Sequence, residues 1–377
     1  MRLVSPLLKH AIYPALHHSG WLNRMMPPRG FAVVNYHGVV PPDHLSSSRR
    51  DDFLDANLTR PEEFRKQLKF LKDRYRVVHP EDFRAWVEQG KPLPERAILL
   101  TCDDGLLNGL TDMLPLLQSE ELSCLFFVTS ASCREKAGML WYEELYHLMR
   151  SKPPGVKSLG EKGPSEKGLS ESESEKDLQL PIDDAESARA DTFQGRWWSA
   201  VRRASRLEAN QREVWLAQLR SRCGTVYDPG SEKRWRLLNL AELRQLAAAG
   251  MSIGAHTRSH PILSLCGDEE ARSEIHESKI ELERALGCSA WAFAYPFGNP
   301  ATMGEREVQI AREAGFSCAF LNVEHWDIGR RAAEPNDVPL TNAFALPRIH
   351  VSFRTTLPEL AAHLSGLHNR LQRAAGN

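Results

Sequence analysis

The chain has 377 residues, enough for two or three ordinary domains or for one large α/β barrel with insertions. Its 48 Lys and Arg against 49 Asp and Glu leave a net charge of −1, and shares of 42% hydrophobic and 26% charged residues are those of a folded globular protein. General polyanion binding and wholesale disorder are excluded on those grounds, and seven scattered cysteines with no CxxC pair argue against a disulfide framework or a cysteine zinc site.

Residues 1–30 form an N-terminal segment whose apolar residues are interrupted by Lys9, His10, Pro14, His17 and His18, so it lacks the unbroken apolar core of a secretory signal. No run approaches the roughly 18 apolar residues of a membrane span. The expectation is a short helix docked on the body and a cytoplasmic location, with peripheral membrane contact through residues 5–16 as the alternative.

Further along, β-branched and aromatic runs predict strands at 31–37, 75–79, 97–104, 123–129, 251–256, 291–296, 317–321 and 345–351. Helical patterns alternate with them. Thr59 and Glu62 have capping-box spacing ahead of Phe64, Leu68 and Leu71 on one face, and Asn239 with Glu242 repeats the signal, with Gly250 as the C-terminal stop. Residues 269–286 and 304–314 give two more helices, the second closed by Gly315. The alternation predicts an α/β fold with a parallel sheet, either a barrel or an open doubly wound sheet.

One stretch breaks the pattern. Residues 151–180 are dominated by Ser, Glu, Lys, Gly and Pro, a composition that cannot offset its own ordering entropy, and are predicted to be disordered. Residues 185–222 are predicted helical, with Arg196, Arg202, Arg203, Arg206, Arg212, Arg220 and Arg222 interleaved with Trp197, Trp198 and Trp215. Glu186, Asp191, Glu208 and Glu213 dilute that charge, so helix packing is favoured over a nucleic-acid patch, and no nucleic-acid partner is expected. Residues 139–236 are therefore read as an insertion into a main domain of 31–138 and 237–372, placed to cap the site.

Three polar clusters fall at the carboxyl ends of predicted strands, where parallel α/β folds carry chemistry. Asp103 and Asp104 follow one strand. On a strand they would face opposite ways, but a turn at Gly105 can swing both to the strand ends; a plain loop cap is the competing role. His256 and His260 follow another, at a spacing that puts two imidazoles on one face of a helical turn within reach of one metal ion; exposed loop histidines are the competing role. The third comprises Tyr295, Pro296, Phe297 and Gly298, which can hold a backbone N–H outward as an oxyanion donor or form an ordinary turn, together with Arg348 and His350 in the last strand. Base, metal ligands and oxyanion donor thus converge on one end of one sheet.

At these residues the sequence resembles the polysaccharide deacetylase family, carbohydrate esterase family four, with its NodB-homology domain. TCDDG at 101–105 is similar to the family's TFDDG, HTRSH at 256–260 to H(S/T)xxH, and AYPFG at 294–298 to RxPYG. YHGV at 36–39 resembles the YHxV of one bacterial branch, and LPRIH at 346–350 stands where a Leu-x-His motif is expected. The resemblance spans about residues 31–360 apart from the insertion, and it implies a distorted (β/α) barrel of about seven parallel strands with a helical and partly disordered insertion.

The implied activity is metal-dependent removal of N-acetyl groups from amino sugars of a polysaccharide or its lipid-linked precursor. Carried over, the scheme makes Asp103 the general base and Asp104, His256 and His260 the ligands of a divalent metal. Zinc is the expected ion, with cobalt or nickel as substitutes. The backbone N–H of Phe297 becomes the oxyanion donor and His350 the candidate acid. The family's third motif opens with an arginine that orients the catalytic aspartate, and here Ala294 stands in its place; Arg348 is the candidate replacement. Cys102, where the family has phenylalanine, should turn away from Asp103 into packing. His37 is expected to line the mouth, and Trp141, Tyr142 and Trp326 to pack in the core or loops, with sugar stacking as the alternative. The competing functions are hydrolysis of another amide, separable by a substrate screen, and carbohydrate binding without catalysis, recognised by chitin-type oligomers held without acetate release.

Overall fold

The computed structural model describes residues 8–24, 30–45, 54–136, 138–150, 192–223, 234–324 and 343–376. The predicted apolar runs become short parallel strands: β1 (Phe31–Tyr36), β2 (Arg76–Val77), β3 (Ala97–Cys102), β4 (Leu125–Val128), β5 (Ser252–Ala255), β6 (Ala292–Ala294), β7 (Cys318–Phe320) and β8 (Ile349–His350). They pair in the order β7-β6-β5-β4-β3-β1-β8, with β2 on β3. The segment leading into β8 joins the two ends of that path. The N–H groups of Ala319 and Leu321 donate to the carbonyls of Ala343 and Leu346, each at 2.8 Å, and Val351 N–H donates to Asn35 O at 2.9 Å. The result is a distorted (β/α) barrel built on seven strands, with β2 as a short extra.

Strand alternation divides the apolar residues between two layers. Val33, Leu99, Leu125, Phe127 and Phe320 fill the barrel interior, and Phe83 and Val87 of a helix after β2 close the end where the strands begin. The other face, including Val34, Tyr36, Ile98, Leu100, Phe126 and Ile253, packs beneath the helices. Each large side chain buried in this way contributes about 1.5–3 kcal/mol.

The helices are α1 (Tyr13–His18), α2 (Pro61–Arg74), α3 (Pro80–Gln89), α4 (Leu114–Ser119), α5 (Trp141–Arg150), α6 (Phe193–Ala204), α7 (Ala209–Cys223), α8 (Leu240–Ala248), α9 (Asp268–Leu286), α10 (Glu305–Glu313), α11 (Leu357–Leu364) and α12 (Leu367–Gly376). α1 docks by burying Tyr13, whose hydroxyl meets His368 Nδ1 at 2.9 Å. Asn239 and Glu242 make the reciprocal capping box of α8, and Gly250 follows its end at φ 87°. The box expected at Thr59 does not form. Thr59 pairs instead with Val39, exchanging backbone hydrogen bonds with Gly38 and Val40, and α2 starts at Pro61, whose fixed φ suits the first helical position. Phe64, Leu68 and Leu71 are buried along its inner face.

Between β4 and β5 the chain leaves the barrel and returns through a narrow neck. Met139 bridges Arg236, and Leu106, just past the Asp103–Asp104 pair, bridges Leu237. Trp141, Leu145, Trp197, Val201 and Leu216 of α5, α6 and α7 form a separate apolar cluster. The arginine-rich stretch packs as well as solvating: Arg212 is buried and Arg220 pairs with Glu144 and Glu213. The segment 151–180, expected to be disordered, lies outside the described residues. Among the described residues no helix is long and apolar enough to cross a membrane.

Candidate metal and hydrolytic site

Asp103 extends β3, its N–H donating to Tyr36 O at 2.9 Å. Alternation sends Cys102 into the layer beneath the helices, where burial pushes its thiol well above the usual range, and sends Asp103 to the barrel axis. Asp104 would then face away, but left-handed backbone at Asp104 (φ 77°) and Gly105 (φ 73°) turns it back to the same mouth. A Cβ on Gly105 would come within 2.9 Å of Val128 Cγ1, so the turn requires glycine there. The reversal thus involves Asp104 itself as well as the glycine anticipated from sequence.

The Asp103 carboxylate is fully engaged. Arg348 grips it with two parallel bonds, Nη1 to Oδ1 at 2.7 Å and Nη2 to Oδ2 at 2.6 Å, while Asn35 Nδ2 donates to Oδ2 at 2.9 Å. The guanidinium is itself fixed by Leu321 O at 2.6 Å, Asn35 Oδ1 at 3.0 Å and Thr101 Oγ1 at 3.3 Å, and lies over the rings of Phe127 and Phe320. Burial pushes the Asp103 carboxyl up, but the charge and hydrogen bonds of Arg348 more than offset it, so it lies below the ordinary aspartate range. Ala294 sits in the same interior cluster, so the cation reaches the aspartate from the residue just before β8 instead of from β6.

Asp104, His256 and His260 are all buried, and one ligand atom from each lies within 4.8 Å of the others. His256 Nε2 and His260 Nε2 stand 3.5 and 3.4 Å from Asp104 Oδ1. His256 Nδ1 lies 2.7 Å from Ala294 O; a carbonyl only accepts, so Nδ1 carries the proton and Nε2 presents its lone pair to the centre. Burial lowers the pKa of the His260 imidazole. At Asp104 burial raises the carboxyl, but the imidazoles of His256 and His260 beside it more than offset this and carry it well below the usual range. An anionic oxygen and two imidazole nitrogens gathered at the strand ends suit a borderline-soft divalent ion such as zinc.

The two histidines do not converge through a helical turn, as their spacing suggested. Residues 256–260 form an irregular loop, with Thr257 at φ 64° and His260 at φ 60°, held by Thr257 Oγ1 accepting from His260 N–H at 2.9 Å. Of six non-glycine residues with positive φ among those described, four (Asp104, Thr257, His260 and Phe297) lie here. Each costs about 1–3 kcal/mol, strain that persists only where surrounding contacts impose it.

Phe297 (φ 59°) and Gly298 (φ 49°) turn the chain after β6. A Cβ on Gly298 would fall 2.4 Å from Asn322 N. Phe297 N–H has no backbone acceptor among the described residues, and its ring centroid is 4.9 Å from that of His260. Trp198 at 6.0 Å and Tyr142 at 5.7 Å extend this aromatic wall from the insertion. Trp141 is buried and Trp326 lies outside the described residues.

His350 and His37 stand edge to face, ring centroids 4.9 Å apart, with His350 Nε2 and His37 Nδ1 buried without partners. His37 Nε2 is 4.0 Å from Asp103 Oδ2. Burial, reinforced by His37, lowers His350 to about 3. Sequence reading overlooked Asn35, Thr101 and Asn322, which tie Asp103, Arg348 and the Gly298 turn together. The available signal was a lone polar residue at an inward position of an apolar strand, as in FAVVNYH.

Residues 231–319 match the family model described as polysaccharide deacetylase. Over 94 residues the chain is 33% identical to a poly-beta-1,6-N-acetyl-D-glucosamine N-deacetylase of Escherichia coli (strain K12). That alignment covers 25% of this chain and only 13% of the curated relative. Among solved structures, the deacetylase PplD of Streptococcus pyogenes aligns with a TM-score of 0.50 at 16% identity, over 88% of this chain and 96% of the other. IcaB of Ammonifex degensii aligns with a TM-score of 0.50 at 18% identity, over 89% and 97%. At such identities these two likenesses concern the fold.

Proposed function

We propose, on the match of residues 231–319 to the polysaccharide deacetylase model together with the site geometry, that the chain is a metal-dependent hydrolase that removes N-acetyl groups from amino sugars of a polysaccharide or its lipid-linked precursor. The observation that carries this reading is a buried Asp104–His256–His260 triad beside a second carboxylate, Asp103, that Arg348 holds ionised. Asp104 Oδ1 and the Nε2 atoms of His256 and His260 would hold the ion, which when bound supplies a Lewis acid for the acetyl carbonyl and lowers the pKa of water.

The chain's own groups do the rest. Asp103 accepts the proton of the attacking water as it adds to the acetyl carbon. The N–H of Phe297 points its dipole at the oxygen that gains charge. When the C–N bond breaks, the departing sugar nitrogen needs a proton, and the His37–His350 pair is placed to give it. His37 is a candidate donor on geometry, its Nε2 lying 4.0 Å from Asp103 Oδ2. His350, the acid expected from sequence, stands edge to face with His37 and is the alternative donor. The aromatic wall of Phe297, Tyr142 and Trp198 offers a flat face to a sugar ring.

Elemental analysis of the purified protein tests the site directly. About one divalent ion per chain, lost in both His256→Ala and Asp104→Ala, is expected; a wild type that takes up no zinc or cobalt removes the reading. Acetate release from N-acetylglucosamine oligomers tests the reaction. His37→Gln should lower kcat by about 10²–10⁴-fold, the usual contribution of a positioned acid. A neutral-pH optimum retained in His350→Gln but lost in His37→Gln assigns the proton to His37, and the reverse pattern returns it to His350.

A further inference from the structure

The loop that carries His256 and His260 is strained at Thr257 and His260, so something outside the triad must impose its shape. Two buried charges do so from behind. Glu274 of α9 accepts the N–H groups of Arg258 and Ser259 on Oε2, both at 2.9 Å, and the Ser259 hydroxyl on Oε1. It thereby satisfies two consecutive backbone donors between the histidines, in a loop with no regular secondary structure to occupy them. Arg212 of α7 supplies the counter-charge. Its Nη2 donates to Ser259 Oγ at 2.6 Å and lies 3.9 Å from Glu274 Oε1, and both side chains are buried.

A second strut comes from α5. The Arg212 guanidinium lies over the Trp141 ring at 5.1 Å, and Trp141 Nε1 donates to the carbonyl of His260 itself at 3.1 Å. Both α5 and α7 belong to the insertion, whose neck is also bound just past the Asp103–Asp104 turn, Arg236 O accepting from Leu107 N–H at 2.7 Å, with Leu238 N–H beyond it donating to Gly105 O at 2.8 Å. Both halves of the triad are therefore braced by the same excursion of the chain.

We propose that Arg212, Glu274 and Trp141 are positioning residues for the metal loop, so that the insertion sets the affinity of the metal site as well as covering it. This rests on the metal-site reading above and extends it to residues that touch neither ion nor substrate. Losing a group that orients metal ligands typically weakens metal binding about 10–100-fold, and that range is expected here.

The test is the dissociation constant for zinc, with the visible absorption of bound cobalt as a report on coordination geometry, in the full-length protein. Arg212→Met keeps the aliphatic bulk over Trp141, and Glu274→Gln keeps the shape, so each removes chiefly charge and bonding. Both should bind zinc about 10–100-fold more weakly and shift the cobalt spectrum. Glu269→Gln, an exposed change on α9, should match wild type, and Arg212→Lys should restore part of the loss. Melting of the metal-free protein is read alongside. If either main variant fails to fold, Trp141→Phe, which removes the indole donor while keeping an aromatic ring under Arg212, carries the test together with Arg212→Lys. Zinc affinity and cobalt spectrum unchanged in the folded variants overturn the proposal while the metal site stands; a wild type that binds no metal overturns both.

Discussion

Asp103→Asn is expected to abolish acetate release, by about 10²–10⁴-fold or more, while a full equivalent of metal stays bound. The exchange keeps the side-chain volume and one acceptor oxygen but removes the basicity needed to take a proton from water. Asp103 is not in the ligand triad, and its oxygens are committed to Arg348 and Asn35, so the ion should not feel its loss directly. Asp104→Asn should behave oppositely, losing metal and turnover together. Metal lost from Asp103→Asn but kept in Asp104→Asn would mean that the two aspartates have exchanged roles. Elemental analysis paired with an acetate assay on the same preparations decides between the assignments.

Arg348→Met should be among the most destabilising single changes in the chain. It leaves the Asp103 carboxylate buried without its cation, and breaking a buried ion pair from one side costs about 3–5 kcal/mol. The companion change should relieve much of this, because Asp103→Asn combined with Arg348→Met buries no uncompensated charge. A chemical denaturation cycle over the four proteins is expected to show a coupling of that sign; simple additivity would mean that the pair contributes little. The pH dependence has a fixed direction. Because the carboxyl of Asp103 is depressed in the folded state, its stabilising contribution is present above the ordinary aspartate range and is lost as pH falls through the folded value. Removing Arg348 removes that depression, so Asp103 should no longer contribute to the loss of stability in acid, and the stability of Arg348→Met should fall less than that of the wild type as pH drops through the aspartate range.

Much of this arrangement is written in local sequence because the chemistry has a short reach along the chain. Strands end where apolar runs meet Asp103, His256 and Tyr295, and all strands point the same way, so those three ends must gather at one mouth. Arg348 could be named as the replacement for the absent motif arginine because it adjoins the short last strand, which pairs with β1 beside the aspartate's own strand. Backbone handedness is another matter. Nothing in His-Thr-Arg-Ser-His announces that Thr257 and His260 adopt left-handed φ, since that conformation is imposed by Glu274, several turns away on another element. Thr59 shows the same limit: its side chain fits a helix cap, but tertiary pairing with Val39 claims its backbone first. The roles of Arg212 and Trp141 depend on how the insertion packs, and residue type alone favours generic burial for both.

The insertion's two inner ends also carry a consequence. Tyr146 and Arg150, at the close of α5, meet Phe193, the first residue of α6, with ring centroids of Tyr146 and Phe193 5.2 Å apart and the Arg150 guanidinium 5.9 Å from the Phe193 ring. The described ends at residues 150 and 192 therefore stand close together, and the entropic cost of joining two such ends grows only logarithmically with the length of chain between them, about 0.6 kcal/mol for each doubling. Insertions and deletions between those ends are close to thermodynamically neutral for the fold. Length variation among relatives can accumulate there, and a reporter domain or affinity tag can be spliced in, without disturbing the helices that brace the metal loop.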